Sequence, residues 1–137
     1  MGTATTFRTH MPASSPQDLI DRYLTAYNAF DIDGMLTLLS PEVRFENYSD
    51  GKLTATADGI DEFRKLAEHA RNLFSEREQR ITALEPNDGA VIAQIAYRGR
   101  LAADIPGGPK AGTVMDLQGQ SEFSFDGGKI SRIIDRS

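Results

Sequence analysis

The segment 19–47, LIDRYLTAYNAFDIDGMLTLLSPEVRFEN, constrains the fold more than any other part of the chain. It reads as helix, tight break, short helix, proline stop and strand. Upstream, Ser15 is a good N-cap, and Pro16 suits a first helical position because its missing N–H would go unpaired there anyway. Asp18 complements the positive end of the helix dipole. Leu19, Ile20, Tyr23, Leu24, Tyr27 and Phe30 then recur at helical spacing, opposite Asp21, Arg22, Thr25 and Asn28. Asp31 is placed to cap a second helix carrying Ile32, Met35, Leu36 and Leu39. Pro41 forces Ser40 out of helical geometry. Val43, Phe45 and Asn47 alternate with Arg44 and Glu46, the period of a half-buried strand.

Residues 48–57 read as a polar connection around an Asp50-Gly51 turn. Asp58-Gly59-Ile60-Asp61 has the pattern of a capping box, opening a third helix with Ile60, Phe63, Leu66, Ala67, Ala70 and Phe74. Beyond about residue 75 the pattern changes to strands, expected at 77–85, 90–101, 113–125 and 129–135. Asn87-Asp88-Gly89 and Asp126-Gly127-Gly128 are hairpin signals between them. The Pro/Gly loop 102–112 is longer than a hairpin needs, which suits a lid or a surface insertion. Val91, Ala93, Ile95 and Tyr97 form one apolar face, with Gln94, Arg98 and Arg100 on the other. The pattern predicts one α+β domain over 16–137, with 1–15 a disordered or extended tail. A strongly bent, mostly antiparallel sheet wrapped over three N-terminal helices leaves a cone with an apolar cavity, a natural small-ligand site.

Composition narrows the chemistry. A net charge of −5 with scattered basic residues excludes a phosphate-backbone binder, so no nucleic-acid partner is expected. Cysteine is absent, which removes disulfides and thiolate nucleophiles. His10 and His69 are the only histidines, so no metal site and no cofactor are expected. No apolar run suits a membrane span or a signal peptide, and the expected location is cytoplasmic. Met1-Gly2 with Thr6 fits a loose myristoylation pattern, but no polybasic second signal follows.

The segment 23–63 resembles, without gaps, the ketosteroid isomerases of the nuclear-transport-factor-2-like superfamily. RYLTAYNAFDIDGMLTLLSPEV carries that family's helix-one tyrosine, its Asn-Ala-x-Asp-x-Asp-Gly break and its entry into strand one. YRGRLAADIPGGPKAGTV and FSFDGGKISRIID are more similar to the SnoaL-like polyketide cyclases. The resemblance implies a cone-shaped α+β barrel. It matches Tyr23 to a tyrosine that hydrogen-bonds the substrate oxygen. It puts Asn47 where the isomerases carry their aspartate base, and Ser121 where they carry a protonated acid. An amide cannot take a proton at useful pH, so steroid isomerisation by the usual route is not expected. Asp135 has the register of the last-strand acid/base of the SnoaL-like cyclases. Asn47 and Asp135 also resemble the water-holding pair of the limonene-epoxide hydrolases. Against that family, Phe45 replaces a tyrosine, and no inward arginine–aspartate pair is legible beside Ala93, Ile95 and Tyr97.

Each of these residues has a plainer reading. Tyr23 also suits a core aromatic, Asn47 a backbone-satisfied turn neighbour, and Asp135 a solvated strand end. Alternation puts Asp135 on the face that Ile133 buries, with Arg132 and Ile134 opposite. The expected catalytic set is Asp135, Tyr23 and Asn47. The expected pocket lining is Tyr27, Phe45, Phe63, Tyr97, Met115, Leu117, Ser121 and Phe123. Arg44, Glu46 and His69 are expected on solvated surfaces. The stripe Asp116, Gln118, Gln120 and Glu122, with Ile92, Ala96 and Ile134, suggests a homodimer through the outer sheet face. The expected function is a small cofactor-independent cyclase or isomerase. It would act by acid/base catalysis on a hydrophobic carbonyl compound in an enclosed apolar pocket. The alternative is a non-catalytic ligand-binding or dimerisation domain of the same fold.

Overall fold

The computed structural model describes residues 15–137. The expected tail therefore lies, apart from Ser15, outside the described residues. Helix α1 (Pro16–Asn28) begins as its sequence dictates, with the Ser15 hydroxyl accepting the Asp18 N–H at 3.1 Å. Its apolar stripe buries Leu19, Ile20, Tyr23 and Leu24. Phe30 then takes a left-handed φ of 59° and reverses the chain. The Asp31 carboxylate accepts the Gly34 N–H at 2.9 Å and caps α2 (Ile32–Leu36). A side chain at Gly34 would collide with that same carboxylate.

The second helix stops earlier than Pro41 requires. The Thr37 hydroxyl bonds the Gly34 carbonyl at 2.8 Å, and Leu39, expected on the helix, opens strand β1 (Leu39–Ser49). The supposed polar connection after it is a hairpin. Asp50 and Gly51 both have positive φ, 52° and 77°, as a tight two-residue turn between twisted strands needs. The turn leads into β2 (Lys52–Asp58), which pairs antiparallel with β1. β2 escapes sequence reading because it is a mostly exposed edge strand that buries only Ala57. Helix α3 (Ile60–Arg71) starts without the expected Asp58/Asp61 box. Its N-cap is Gly59, and the Glu62 carboxylate takes the Asp58 N–H at 2.8 Å. Phe74, expected at the end of this helix, is the first residue of β3 (Phe74–Asn87). β4 (Ala90–Leu101), β5 (Val114–Asp126) and β6 (Lys129–Arg136) complete the chain.

The six strands form one sheet in the order β2-β1-β6-β5-β4-β3. Only β1 and β6 run parallel; the other neighbours are antiparallel. Irregularities at Asn47/Tyr48, Ile81/Ala83 and Ser124/Phe125 bend the strands, and the sheet curls strongly around the helices. β2 and β3 remain separate edges, so the cone is an unclosed barrel. Directly paired residues share a face, so the concave wall can be read as rows across the sheet. One row is Ala57, Phe45, Ile133, Phe123 and Val91. The next is Ala55, Asn47, Asp135, Ser121 and Ala93. Three adjacent polar residues thus interrupt otherwise apolar rows.

Two expectations about the outer face change. Glu46 is not a solvated residue: it is only 9% exposed, held by Arg44 Nε at 3.1 Å and the Tyr48 hydroxyl at 2.9 Å. Arg132, brought alongside by the parallel β1–β6 pairing, stands 3.7 Å away. Ile134 lies between Glu46 and Glu122 in the register and is itself buried. It therefore offers no open apolar patch. No helix among the described residues is long and apolar enough to cross a membrane.

Candidate functional site

The space between α1, α3 and the concave wall is a cavity of about 460 Å³. Tyr23, Asn47, Asp135 and Ser121 line it, together with Tyr27, Phe45, Phe63, Tyr97 and Leu117. The sequence suggested an enclosed pocket. Instead Leu117 and Leu73, both exposed, border the cavity and leave it open to solvent.

Asp135 is the centre of its polar row. Its Oδ1 accepts the Ser121 hydroxyl at 2.6 Å, the length of a charge-assisted bond. Burial in the cavity wall disfavours the ionised form, and the Ser121 bond opposes this only in part. The carboxyl is raised from 3.8 to about 6. Tyr23 is 5% exposed, with its ring edge-on to Phe123 at 6.0 Å. Burial, then the negative charge of Asp135, push the Tyr23 phenol well above its ordinary value. It therefore stays protonated and can donate. Among the described residues none hydrogen-bonds that hydroxyl.

Asn47 faces the cavity in the same row, but its amide is partly committed. Nδ2 donates to Thr54 Oγ1 at 2.8 Å, and the Thr54 hydroxyl donates to the Asn47 carbonyl at 3.1 Å. The side-chain oxygen of Asn47 and its second amide N–H remain for a ligand. Tyr27 and Tyr97 form another polar point, their hydroxyls 3.3 Å apart, and burial raises the Tyr97 phenol. Phe45 and Phe63 pack edge-to-face at 5.7 Å on the α3 side.

Two expected lining residues do not reach the cavity. Phe123 is fully buried behind Tyr23 as a core residue. Met115 pairs with Gly99, nearer the start of β5 than Leu117 and toward the 102–112 loop. No residue of that loop lines the cavity either, so its lid role has no contact to support it. His69 is exposed, as expected, but stands among the cavity's lining residues.

The residue that sequence reading missed is Arg77. An inward arginine is present after all, 6% exposed and lining the cavity. Its guanidinium carbon lies 3.7 Å from the Tyr27 ring centre and 4.5 Å from that of Phe30. Nε donates to the Tyr27 carbonyl at 3.0 Å, at the negative end of α1. It forms no arginine–aspartate pair: among the described residues no carboxylate lies within 4.0 Å of it. A signal existed, because Arg77, Gln79 and Ile81 alternate on one face. Glu76 and Glu78 masked it as a solvated charge run. Among the described residues no group of three or more His, Cys, Asp or Glu is placed to hold a metal ion.

The SnoaL-like domain family model matches residues 20–133. A candidate polyketide cyclase from Xanthomonas campestris pv. campestris has a similar structure, at 22% identity and a TM-score of 0.77, covering 89% of each chain. A candidate polyketide cyclase from Silicibacter sp. is 27% identical, with a TM-score of 0.67, over 87% of this chain and 85% of that one. A hypothetical protein of ketosteroid isomerase-like fold from Catenulispora acidiphila, in complex with trimethylamine, is 15% identical with a TM-score of 0.71. That match covers 88% of this chain and 85% of the other. No curated protein matches the sequence. The first and third likenesses speak for the fold alone. The domain match runs from α1 to β6 over the same curled sheet, and it shows that the chain belongs to the SnoaL-like domain family.

Proposed function

We propose that this protein is a cofactor-independent enzyme that moves a proton on a hydrophobic carbonyl compound, as a cyclase or isomerase does, with Asp135 as the acid/base. The observation that carries this reading is Asp135 itself. It is a carboxylate raised to about 6, held by one hydroxyl at 2.6 Å, on the wall of a ligand-sized and largely carbon-lined cavity. A base with a pKa near the working pH is the efficient choice for proton transfer. Asp135 would take a proton from the carbon next to the carbonyl, and the electron pair would move onto the carbonyl oxygen. The neutral Tyr23 phenol would donate to that oxygen as charge develops. In isomerisation Asp135 returns the proton to a different carbon. In cyclisation the enolate attacks a second carbonyl of the same molecule, a C–C bond forms, and the new alkoxide takes the proton back. Asn47 can serve through its side-chain oxygen, as an acceptor for a substrate hydroxyl or a water.

The test is hydrogen–deuterium exchange at the α-carbon of a bicyclic aryl ketone in deuterated buffer, followed by NMR. The protein should accelerate exchange with an inflection near pH 6, and Asp135→Asn should remove the acceleration. Exchange by Asp135→Asn at the wild-type rate would overturn the assignment. A second reading, a ligand-binding domain without catalysis, draws on Asn47, an amide at the isomerases' base position and already tied to Thr54. It predicts ketone binding with no exchange. We also propose that two copies pair through the outer sheet face, where Ile92 and Ala96 are partly exposed. Light scattering that gave a monomer at high micromolar concentration would refute that pairing.

A further inference from the structure

Asp135 accounts for one end of the cavity, and Arg77 is the unexplained charge at another. Its neighbours explain in part why a cation sits there. The rings of Tyr27 and Phe30 face the guanidinium, and the Tyr27 carbonyl takes its Nε proton. These contacts do not satisfy the group. Nη2 is buried without a hydrogen-bond partner, and it is the one such side-chain atom among the described residues. Native structures rarely leave a buried charged donor in that condition without a reason. The other arginine lining the cavity, Arg136, is engaged on the outer face, at 3.2 Å from Glu122 and over the Tyr48 ring. Arg77 therefore brings a positive charge to the cavity wall with no carboxylate of the described residues within 4.0 Å.

We infer that Arg77 is the anchor for an oxyanion of the ligand, so that the substrate class is a hydrophobic molecule carrying a carboxylate or a comparably stabilised oxyanion. The planar guanidinium presents paired N–H donors that match a carboxylate, and enclosure by rings strengthens that match over what water would allow. Tyr23 and Tyr27 are one helical turn apart on α1. Arg77 stacks on Tyr27, and the Asp135 charge acts on Tyr23. β4 and β5 lie between the strands that carry Arg77 and Asp135. An elongated ligand lying along α1 would then put its anionic end at Arg77 and its reacting carbon near Asp135. A neutral apolar ligand would fill the same volume and offer the guanidinium no acceptor. The inference rests on this cavity being the substrate site, but it does not depend on Asp135 being a base.

The experiment is isothermal titration of 2-naphthoate against its neutral methyl ester. It is run at about pH 5, where Asp135 is largely protonated and an aryl carboxylate is still mostly ionised. The wild-type protein should bind the carboxylate at least about tenfold more tightly than the ester, a difference of about 1.4 kcal/mol. Arg77→Met should erase that preference while keeping ester affinity, which also reports an intact cavity. Arg77→Lys should keep part of the preference, and Asp135→Asn should keep it all. Equal wild-type affinities would overturn the assignment even if no Arg77 variant folded, and so would a preference that survives Arg77→Met. A wild-type protein that prefers the carboxylate yet exchanges no ketone protons would keep Arg77 and discard Asp135 as a base. Ketone exchange without anion preference would do the reverse.

Discussion

Asp135 and Glu46 are carboxylates on neighbouring strands, one residue apart in the register, and they face opposite sides of one sheet. Asn47 pairs with Asp135, while Glu46 pairs with Ile134. Their carboxyls shift in opposite directions, because their surroundings differ. Glu46 meets Arg44, Tyr48 and Arg132, and the Arg44 and Tyr48 hydrogen bonds hold its carboxyl below the usual range. Asp135 meets one serine hydroxyl, so burial wins and its carboxyl rises to about 6. Desolvation and the supply of donors together decide the protonation of a carboxylate, and here they pull the two residues apart. On the outer face the sheet neutralises a charge for stability. On the inner face it keeps a carboxylate short of donors, the condition under which it can exchange protons near neutrality.

The largest test of this contrast is functional. Asp135→Asn is nearly isosteric, and it should lower the exchange rate at least about 100-fold. Glu46→Gln, beyond the opposite side of the sheet, should leave the rate within about twofold. Equal losses in the two variants would mean that both act through stability rather than chemistry.

The contrast also sets opposite pH dependences of stability. Asp135 has a folded-state pKa above its unfolded value, so the folded chain binds the extra proton between the two. Its stabilising effect is complete below about pH 4 and is lost as pH rises through about 6. Asp135→Asn should therefore gain on the wild type by about 1–3 kcal/mol at pH 8 and by nothing at pH 3.5. Glu46 has a depressed pKa, so its contribution is present above the ordinary glutamate value and is lost as pH falls through the lower folded value. Glu46→Gln should cost about 1 kcal/mol at pH 7 and little in strong acid. Urea unfolding at several pH values measures both. Parallel pH curves for the two variants would dissolve the distinction between the faces.

How much of this could be read from the chain follows from where each partner comes from. Ser15, Asp31 and the Asp50-Gly51 turn act within a few residues, so local chemistry reveals them. The inward direction of Asp135 follows from alternation with Ile133, and Ser121 stands opposite it in the β5–β6 hairpin. The buried state of Glu46 depends on Arg132, which arrives through the parallel β1–β6 pairing that no local pattern announces. Arg77 finds its place through Tyr27 and Phe30, far away in sequence, while its immediate neighbours are glutamates. β2 was missed for a related reason. An exposed edge strand buries too little to leave a periodic signal. Local chemistry and alternation were legible; charges fixed by distant pairing were not.

The finest test removes the single hydrogen-bond donor that Asp135 has among the described residues. The Ser121 hydroxyl bonds the carboxylate at 2.6 Å and is the one influence that lowers its pKa. Ser121→Ala removes that bond in a site that is already buried and changes side-chain volume little. The ionised form then loses that donor while the apolar surroundings stay, so the Asp135 pKa must rise further. The inflection in the exchange profile should move to higher pH, and the rate at pH 7 should fall because less of the carboxylate is ionised. Well above the new inflection the rate should approach the wild-type plateau, since the base itself is intact. A loss of rate at every pH would show that Ser121 touches the substrate rather than tuning Asp135. An unmoved inflection would show that water replaces the hydroxyl freely, and that the inner face is wetter than its contrast with Glu46 requires.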